Sequence, residues 1–172
     1  HQTVMMDFNG STLKALDPFG EESPSKLEYE EEIVTLEGEQ ISIKPYVLPH
    51  RQKSHSAAAY ERLALGGSYK ENQGCYVYRN RRLIVWGTWF RIVEKNELTK
   101  LVRVKIDIPN SLDHLFNIDV RKTQTSIPER VRGRLKEMLG EVVCKSKMVA
   151  AQTGKPKLPE KVVPVWKRHL VD

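Results

Sequence analysis

The side chains with chemistry to offer in this chain are cations, and they stand in two clusters. Arg79, Arg81 and Arg82 crowd the middle of "GCYVYRNRRLIVWG", residues 74–87. Arg121 and Lys122 follow "NIDV" and precede "TQTSIPE". A guanidinium is a planar fork that matches phosphate or carboxylate, and an ammonium is a compact charge suited to one phosphate oxygen. Both clusters ask for an anionic partner. Catalytic constellations are missing: there is no GxSxG elbow, no HExxH pair, no Walker A loop and no glycine-rich dinucleotide fingerprint. His50 and His55 have no carboxylates at metal-ligand spacing, and Asp107, Asp113 and Asp119 fall on different elements. The residues read as a binding or regulatory domain, with no catalytic residue, no metal site and no cofactor of its own.

The elements that must position these cations are legible from periodicity. "CYVYRNRRLIVWGTWFRIV" predicts strand, tight turn, strand, with Asn80 the residue best able to take a positive φ. Strict alternation puts Tyr76 and Tyr78 on one face and Val77 on the other. Beyond the turn it sets Leu83 and Val85 against Ile84 and Trp86. "KLVRVKIDIP" alternates Leu101, Arg103, Lys105 and Asp107 with Val102, Val104, Ile106 and Ile108, and Pro109 ends it. "SLDHLF" makes a turn or two of helix, and "NIDV" returns as a short strand carrying Arg121 and Lys122 at its end. "SIPE" then reads as a capping box, Ser126 the cap, Pro128 in the first turn and Glu129 three residues on. Val131, Leu135, Met138, Leu139, Val142 and Val143 form the helix's apolar stripe, with Arg130, Arg134, Lys136 and Lys145 opposite.

Upstream, "EEIVTL" and "QISIKPYVL" flank "EGEQ" as a hairpin, and Pro45 marks an edge strand or a bulge. "SAAAYERLAL" predicts a short helix capped by Ser56 and stopped by Gly66 and Gly67. "TVMMDF" suits a short strand followed by the turn "NGST", and residues 17–26, "DPFGEESPSK", have the composition of a linker. Residues 151–172, rich in Pro and Lys, read as an extended tail.

Composition sets the outer limits. With 172 residues, 40% hydrophobic and 29% charged, the chain can bury a core of its own. No apolar run approaches the ~20 residues of a membrane span, and no secretory pattern opens the chain. His1 in first place reads as a fragment or a processed chain. Cys75 and Cys144 lack metal spacing and read as buried thiols in a reducing, cytoplasmic compartment. The net charge of +6 is uneven, acidic up to Glu39 and basic from Arg79 onward. That asymmetry suits an anionic partner (nucleotide, nucleic acid or an acidic protein surface) or, on charge alone, a solvated basic face that keeps the domain soluble.

Three stretches, "GCYVYRNRRLIVWGTWF", "KLVRVKIDIPNSLDHLFNIDVRKTQ" and "IPERVRGRLKEML", resemble the transducer domain that follows the ATP-binding domain in the gyrase, histidine kinase and MutL (GHKL) ATPase superfamily. The similarity is greatest to bacterial histidine-kinase-like or chaperone-like ATP-binding proteins and to the microrchidia family. It spans roughly residues 27–148. "YVYRNRRLI" matches the family's hairpin, and "NIDVRK" is similar to the strand and lysine of MutL-type proteins. The resemblance implies an α+β fold, a split β-α-β sandwich like domain 2 of ribosomal protein S-five, with a mixed sheet and helices on one face. It implies three parts: residues 1–26 ending a preceding ATPase domain plus linker, residues 27–150 the transducer, and residues 151–172 the tail. It also implies that Lys122, with Arg121 beside it, reaches the γ-phosphate of ATP held with Mg by the preceding domain. The fragment itself is then no enzyme, while its parent is an ATPase. The implied partners are that domain, a second copy in a homodimer, and DNA. Arg79, Arg81, Arg82, Arg134 and Lys136 are the candidates for nucleic-acid or interdomain contact. The alternative reading is a freestanding basic α+β module that binds nucleic acid.

Overall fold

Three two-residue turns organise the strands, and all three place both residues at positive φ. In the computed structural model, which describes residues 7–12, 16–20, 23, 27–51, 54, 56–116 and 126–153 (145–147 and 149–153 by backbone only), the first turn is Asn9–Gly10, at φ 50° and 77°. It joins β1 (Asp7–Phe8) to β2 (Ser11–Thr12) in a small separate ribbon. The second, Glu37–Gly38 at 49° and 82°, joins β4 (Glu32–Leu36) to β5 (Glu39–Val47). The third, Asn80–Arg81 at 46° and 66°, joins β6 (Gly74–Arg79) to β7 (Arg82–Thr88). This is the turn geometry whose twist matches paired strands, and it normally selects Asn and Gly. With β3 (Leu27–Glu28) and β8 (Val102–Ile108) the main sheet has six strands among the described residues, in the order β3–β5–β8–β6–β7 with β4 also along β5. β6 and β8 run parallel and every other pair is antiparallel, so the sheet is mixed.

One face of the sheet is apolar throughout. Ile41, Ile43 and Val47 of β5, Val104 and Ile106 of β8, and Val77 of β6 are all buried there. The covering element is α3 (Glu129–Thr153), whose Val131, Leu135, Met138, Leu139 and Val142 are buried as its stripe predicts. Leu112 and Phe116, from the 3₁₀ turn Asn110–Leu112 and the short α2 (Asp113–Phe116), join the same core. α1 (Ala57–Leu63) is capped as expected, the Ser56 Oγ accepting from the Ala59 N–H at 3.0 Å. The chain is therefore an α+β sandwich with a mixed sheet, the fold class read from its sequence. Among the described residues no helix is long and apolar enough to cross a membrane.

At Pro45 the structure decides between the two readings, and four other local readings needed correction. Pro45 is not on an edge, because β5 pairs with β4 and β3 on one side and with β8 on the other. It does mark a bulge: residues 29–31 stand opposite only Lys44 and Pro45, between the pairs Glu28↔Tyr46 and Glu32↔Ile43. The Pro45 carbonyl accepts from Tyr29 N–H on that side. In a strand the N and C=O of one residue point the same way, so the missing donor falls where the ladder is already broken. On β7, two register shifts opposite Cys75–Tyr78 change the parity. Leu83 and Trp86 consequently line one cavity with Tyr76 and Tyr78, not opposite faces.

α3 begins at Glu129, its first bond running from Arg132 N–H to the Pro128 carbonyl, not from a Ser126 cap. Proline disfavours the helical region for the residue before it, which holds Ile127 out of the helix. Cys144 is exposed on α3, whereas Cys75 is buried in the sheet. Finally, part of the presumed linker is core: Phe19 is 1% exposed. It packs on the sheet face away from α3, with Tyr46, Tyr76 and Tyr78. The tail residues 154–172, the strand read at "NIDV" and Asp119 lie outside the described residues, as do His55 and the side chain of Lys145.

Candidate functional site

Parallel pairing of β6 with β8 carries the C-terminal ends of both strands to one end of the sheet, Arg79 standing beside Ile108. β5 runs antiparallel to β8, with Ser42 opposite Asp107, so the Glu37–Gly38 turn arrives at the same end. The arginine-bearing turn, the 3₁₀ turn and α2 are thereby assembled around the point from which the chain leaves toward Arg121 and Lys122. Asn80 N–H bonds the Ile108 carbonyl at 3.3 Å and extends the ladder into the turn.

The three hairpin arginines divide by role. Arg79 is braced inward: its Nε donates to Asn110 Oδ1 at 3.0 Å and its Nη2 lies 2.9 Å from Asp113 Oδ2. Farther along α2, His114 Nε2 sits 3.0 Å from Glu37 Oε2. Arg82 is exposed and pairs across the strands with Arg79, and Arg81 is exposed at the apex. Like charges in cross-strand register repel, and Asp113 relieves that repulsion by neutralising Arg79.

Arg81 also borders an open cavity of about 680 Å³ on the polar face of the sheet, with Asn80, Gln40, Ser42, Lys105 and Asp107. Lys105 is 3.1 Å from Asp107 Oδ2 and 5.5 Å from the centroid of the Tyr78 ring. On the same face Lys44 bonds Glu28 at 3.0 Å, a hydrogen bond that raises its pKa above the usual lysine value.

The remaining candidates do not join this group. Arg134 on α3 bonds Glu32 of β4 at 2.5 Å and Glu137 at 2.8 Å, and the Glu32 bond, then the Glu137 bond, raise its pKa. β4 lies at the opposite edge of the sheet from β7, so Arg134 and Arg82 do not form one basic surface. Lys136 is exposed on α3. Among Tyr76, Tyr78, Trp86 and Trp89, the four tyrosine and tryptophan rings of the hairpin stretch that could stack on a base, Tyr76, Tyr78 and Trp89 are buried, leaving Trp86, 54% exposed, open to a stacking partner. Arg121 and Lys122 lie outside the described residues; the chain on either side of them is fixed by Phe116, fully buried, and Ile127, 5% exposed. Among the described residues no group of three His, Cys, Asp or Glu side chains is arranged to hold a metal ion.

One cation that the sequence reading passed over stands out. Arg103, in the polar register of β8, is fully buried. Its Nη1 donates to the Pro18 carbonyl and its Nη2 to the Leu63 carbonyl at 2.6 Å. The guanidinium carbon lies 5.7 Å from the ring centroids of both Tyr69 and Tyr76. Burial lowers its pKa, opposed by Tyr76, Tyr69 and Asp17. Its strand pattern is that of Lys105, which stays partly exposed; the folding back of Pro18–Phe19, the end of α1 at Leu63 and the Tyr69 ring distinguish the two.

Fold and site together define an α+β domain with a braced, arginine-tipped hairpin at the sheet end where the segment of Arg121 and Lys122 departs. No family model, curated protein or solved structure matches the chain.

Proposed function

We propose that this chain is the transducer domain of a GHKL-type ATPase, with the split sandwich of that family, coupling ATP binding in a preceding domain to conformational change. In this reading Lys122, with Arg121 beside it, meets the γ-phosphate of ATP and Mg bound by that domain. The supporting observation is the anchoring of the segment on both sides, by Phe116 and Ile127 in the core beneath α3. A cation tethered to the core at both ends transmits to it any ligand that captures the cation. A triphosphate is a fitting ligand, because a positioned ammonium stabilises phosphoryl charge. A contact supplied across domains also makes the nucleotide favour the docked arrangement, which is the requirement for a population shift.

The test is Lys122→Ala in the intact parent. ATP turnover should fall tenfold or more, with an unchanged circular dichroism spectrum; turnover equal to that of the unaltered protein overturns the assignment. Nucleic-acid binding, the alternative, gains Arg81 and Arg82 as exposed cations but loses three of its four stacking rings to the core. Absence of DNA binding by the isolated chain at low salt would dispose of it.

A further inference from the structure

The segment Asp17–Gly20 adds no strand to the sheet, yet among the described residues before β3 it is the most deeply seated. The Phe19 ring stacks on Tyr46 at 4.7 Å between centroids and meets Tyr76 edge-on at 5.5 Å and Tyr78 at 6.2 Å. Asp17 Oδ1 accepts from the Phe19 N–H at 2.8 Å, and Ser23 N–H closes a turn onto the Gly20 carbonyl at 2.8 Å. Gly20 sits at φ 65°, a left-handed conformation that favours glycine, and an added Cβ would press on the tip of Leu63 at 2.9 Å. Pro18 meanwhile gives its carbonyl to Arg103.

Two large and opposite contributions meet under this strap. Seating Phe19 removes an aromatic ring from water, which favours docking. It also closes the Pro18 side over Arg103, stripping hydration from a guanidinium whose Nε has no hydrogen-bond partner among the described residues. Lifting the strap exposes the ring but returns water to the charge. It breaks no strand pairing, and α3 still covers the other face. The strap's outer side already borders an open apolar cavity of about 450 Å³, lined by Leu16, Pro18, Leu65, Leu83 and Trp86 among others.

We propose that Asp17–Gly20 is a reversible latch, held shut by Phe19 and biased toward opening by the buried charge of Arg103, that opens while the sheet stays folded. Arg103 lies within β8, and β8 runs directly into the 3₁₀ turn and α2 that lead to Arg121 and Lys122. An open or closed latch therefore bears on the strand from which the chain leads to the proposed phosphate reporter. That use rests on the transducer reading; the latch itself does not.

Amide hydrogen exchange on this chain tests the latch. The Phe19 and Ser23 amides should exchange at least 100-fold faster than the amides of β8, with little dependence on denaturant, the signature of local opening. Arg103→Met removes the buried charge together with the bonds to the Pro18 and Leu63 carbonyls; if the charge dominates, as the latch requires, their exchange should slow at least tenfold, and faster exchange would make Arg103 a clasp and overturn the proposed opening force. Phe19→Ala should abolish their protection and leave that of β8 intact. Exchange of the strap at the rate and denaturant dependence of β8 in the unaltered chain overturns the latch without reference to any variant. If the latch opens as described but Phe19→Ala leaves ATP turnover of the intact parent unchanged, the coupling role is overturned and the latch stands.

Discussion

Arg79 and Asp113 meet at 2.9 Å, tying the tip of the β6–β7 hairpin to the first turn of α2. Asn110 completes the brace from the 3₁₀ turn. Both charged side chains are over a third exposed, so solvent screens the pair. Removing the arginine still strands a carboxylate whose other oxygen, Oδ1, is buried without a partner among the described residues. Arg79→Ala should therefore destabilise the chain by about 1 kcal/mol, read from urea denaturation. A double-mutant cycle with Asp113→Ala should show coupling of about 0.5 kcal/mol or more. Zero coupling would mean that the pair braces nothing and that Arg79 is as free as its neighbours.

Arg81 occupies a position that the other two hairpin turns give to glycine. Gly10 and Gly38 stand second in their turns at φ 77° and 82°; Arg81 stands second in its own at 66°. A left-handed conformation costs a residue with a Cβ roughly 1–2 kcal/mol, and glycine's greater freedom when unfolded returns ~0.5–1 of that. Arg81→Gly should raise stability by about 0.5–1 kcal/mol, seen as an upward shift in Tm. The same variant should weaken whatever anionic contact the tip makes, so stability and binding would move in opposite directions. A lower Tm would show that the arginine side chain supports the fold and would remove the reason to look for its partner outside.

Much of this architecture was legible because its signals are local. Val102, Val104, Ile106 and Ile108 alternate, Ser56 stands directly before a run of alanines, and α3 repeats its apolar residues at helical spacing. Each pattern needs only its immediate neighbours to fix a conformation. The failures share the opposite cause. Phe19 lies among Pro, Gly and Ser, and its burial depends on Tyr46, Tyr76 and Tyr78 from two distant strands. The parity of Leu83 and Trp86 depends on two bulges, one at Gly87, whose place inside β7 at φ 65° was the available signal, and one at Ile84 that leaves no mark in composition. Arg103 and Lys105 share a register, and distant segments, the strap at Pro18, the end of α1 at Leu63 and the Tyr69 ring, make one of them core. Within the candidate site, the clustering of Arg79, Arg81 and Arg82 was local and visible, but the diversion of Arg79 to Asn110 and Asp113 was a tertiary event.

Gln73 illustrates how a polar residue can be built into the core. It is fully buried, and both ends of its amide are satisfied. Its Nε2 donates to the Lys70 carbonyl at 2.8 Å and the Asn96 carbonyl at 3.1 Å. Its Oε1 accepts from Trp89 Nε1 at 3.1 Å and from Thr99 Oγ1. The network pins the long connection between β7 and β8 to the start of β6. Gln73→Leu keeps the volume but strands an indole N–H and two carbonyls, so about 3 kcal/mol of stability should be lost in urea denaturation. Adding Trp89→Phe should restore part of it, because one stranded donor disappears. A Gln73→Leu loss below about 1 kcal/mol would show that water replaces the amide.

Stability should also decline at alkaline pH, and the direction follows from three tyrosines. Burial pushes the Tyr69 hydroxyl up to about 12 from 10.0, Arg103 opposing and Tyr60 adding to the rise. Tyr76 is raised by burial against the pull of Arg103, and Tyr29 by burial and then by Glu141. Above pH 10 the unfolded chain releases phenolic protons that the folded chain retains. The unfolded state then binds fewer protons, and unfolding becomes easier as pH rises. This contribution should be whole below about pH 10 and lost progressively toward pH 12, as followed by the denaturation midpoint. Tyr69→Phe removes both the titrating group and a buried hydroxyl without a partner among the described residues. It should flatten the alkaline slope while leaving neutral-pH stability unchanged or higher. A slope as steep as that of the unaltered chain would assign the alkaline loss to other groups, and a large loss at neutral pH would reveal a partner for the hydroxyl.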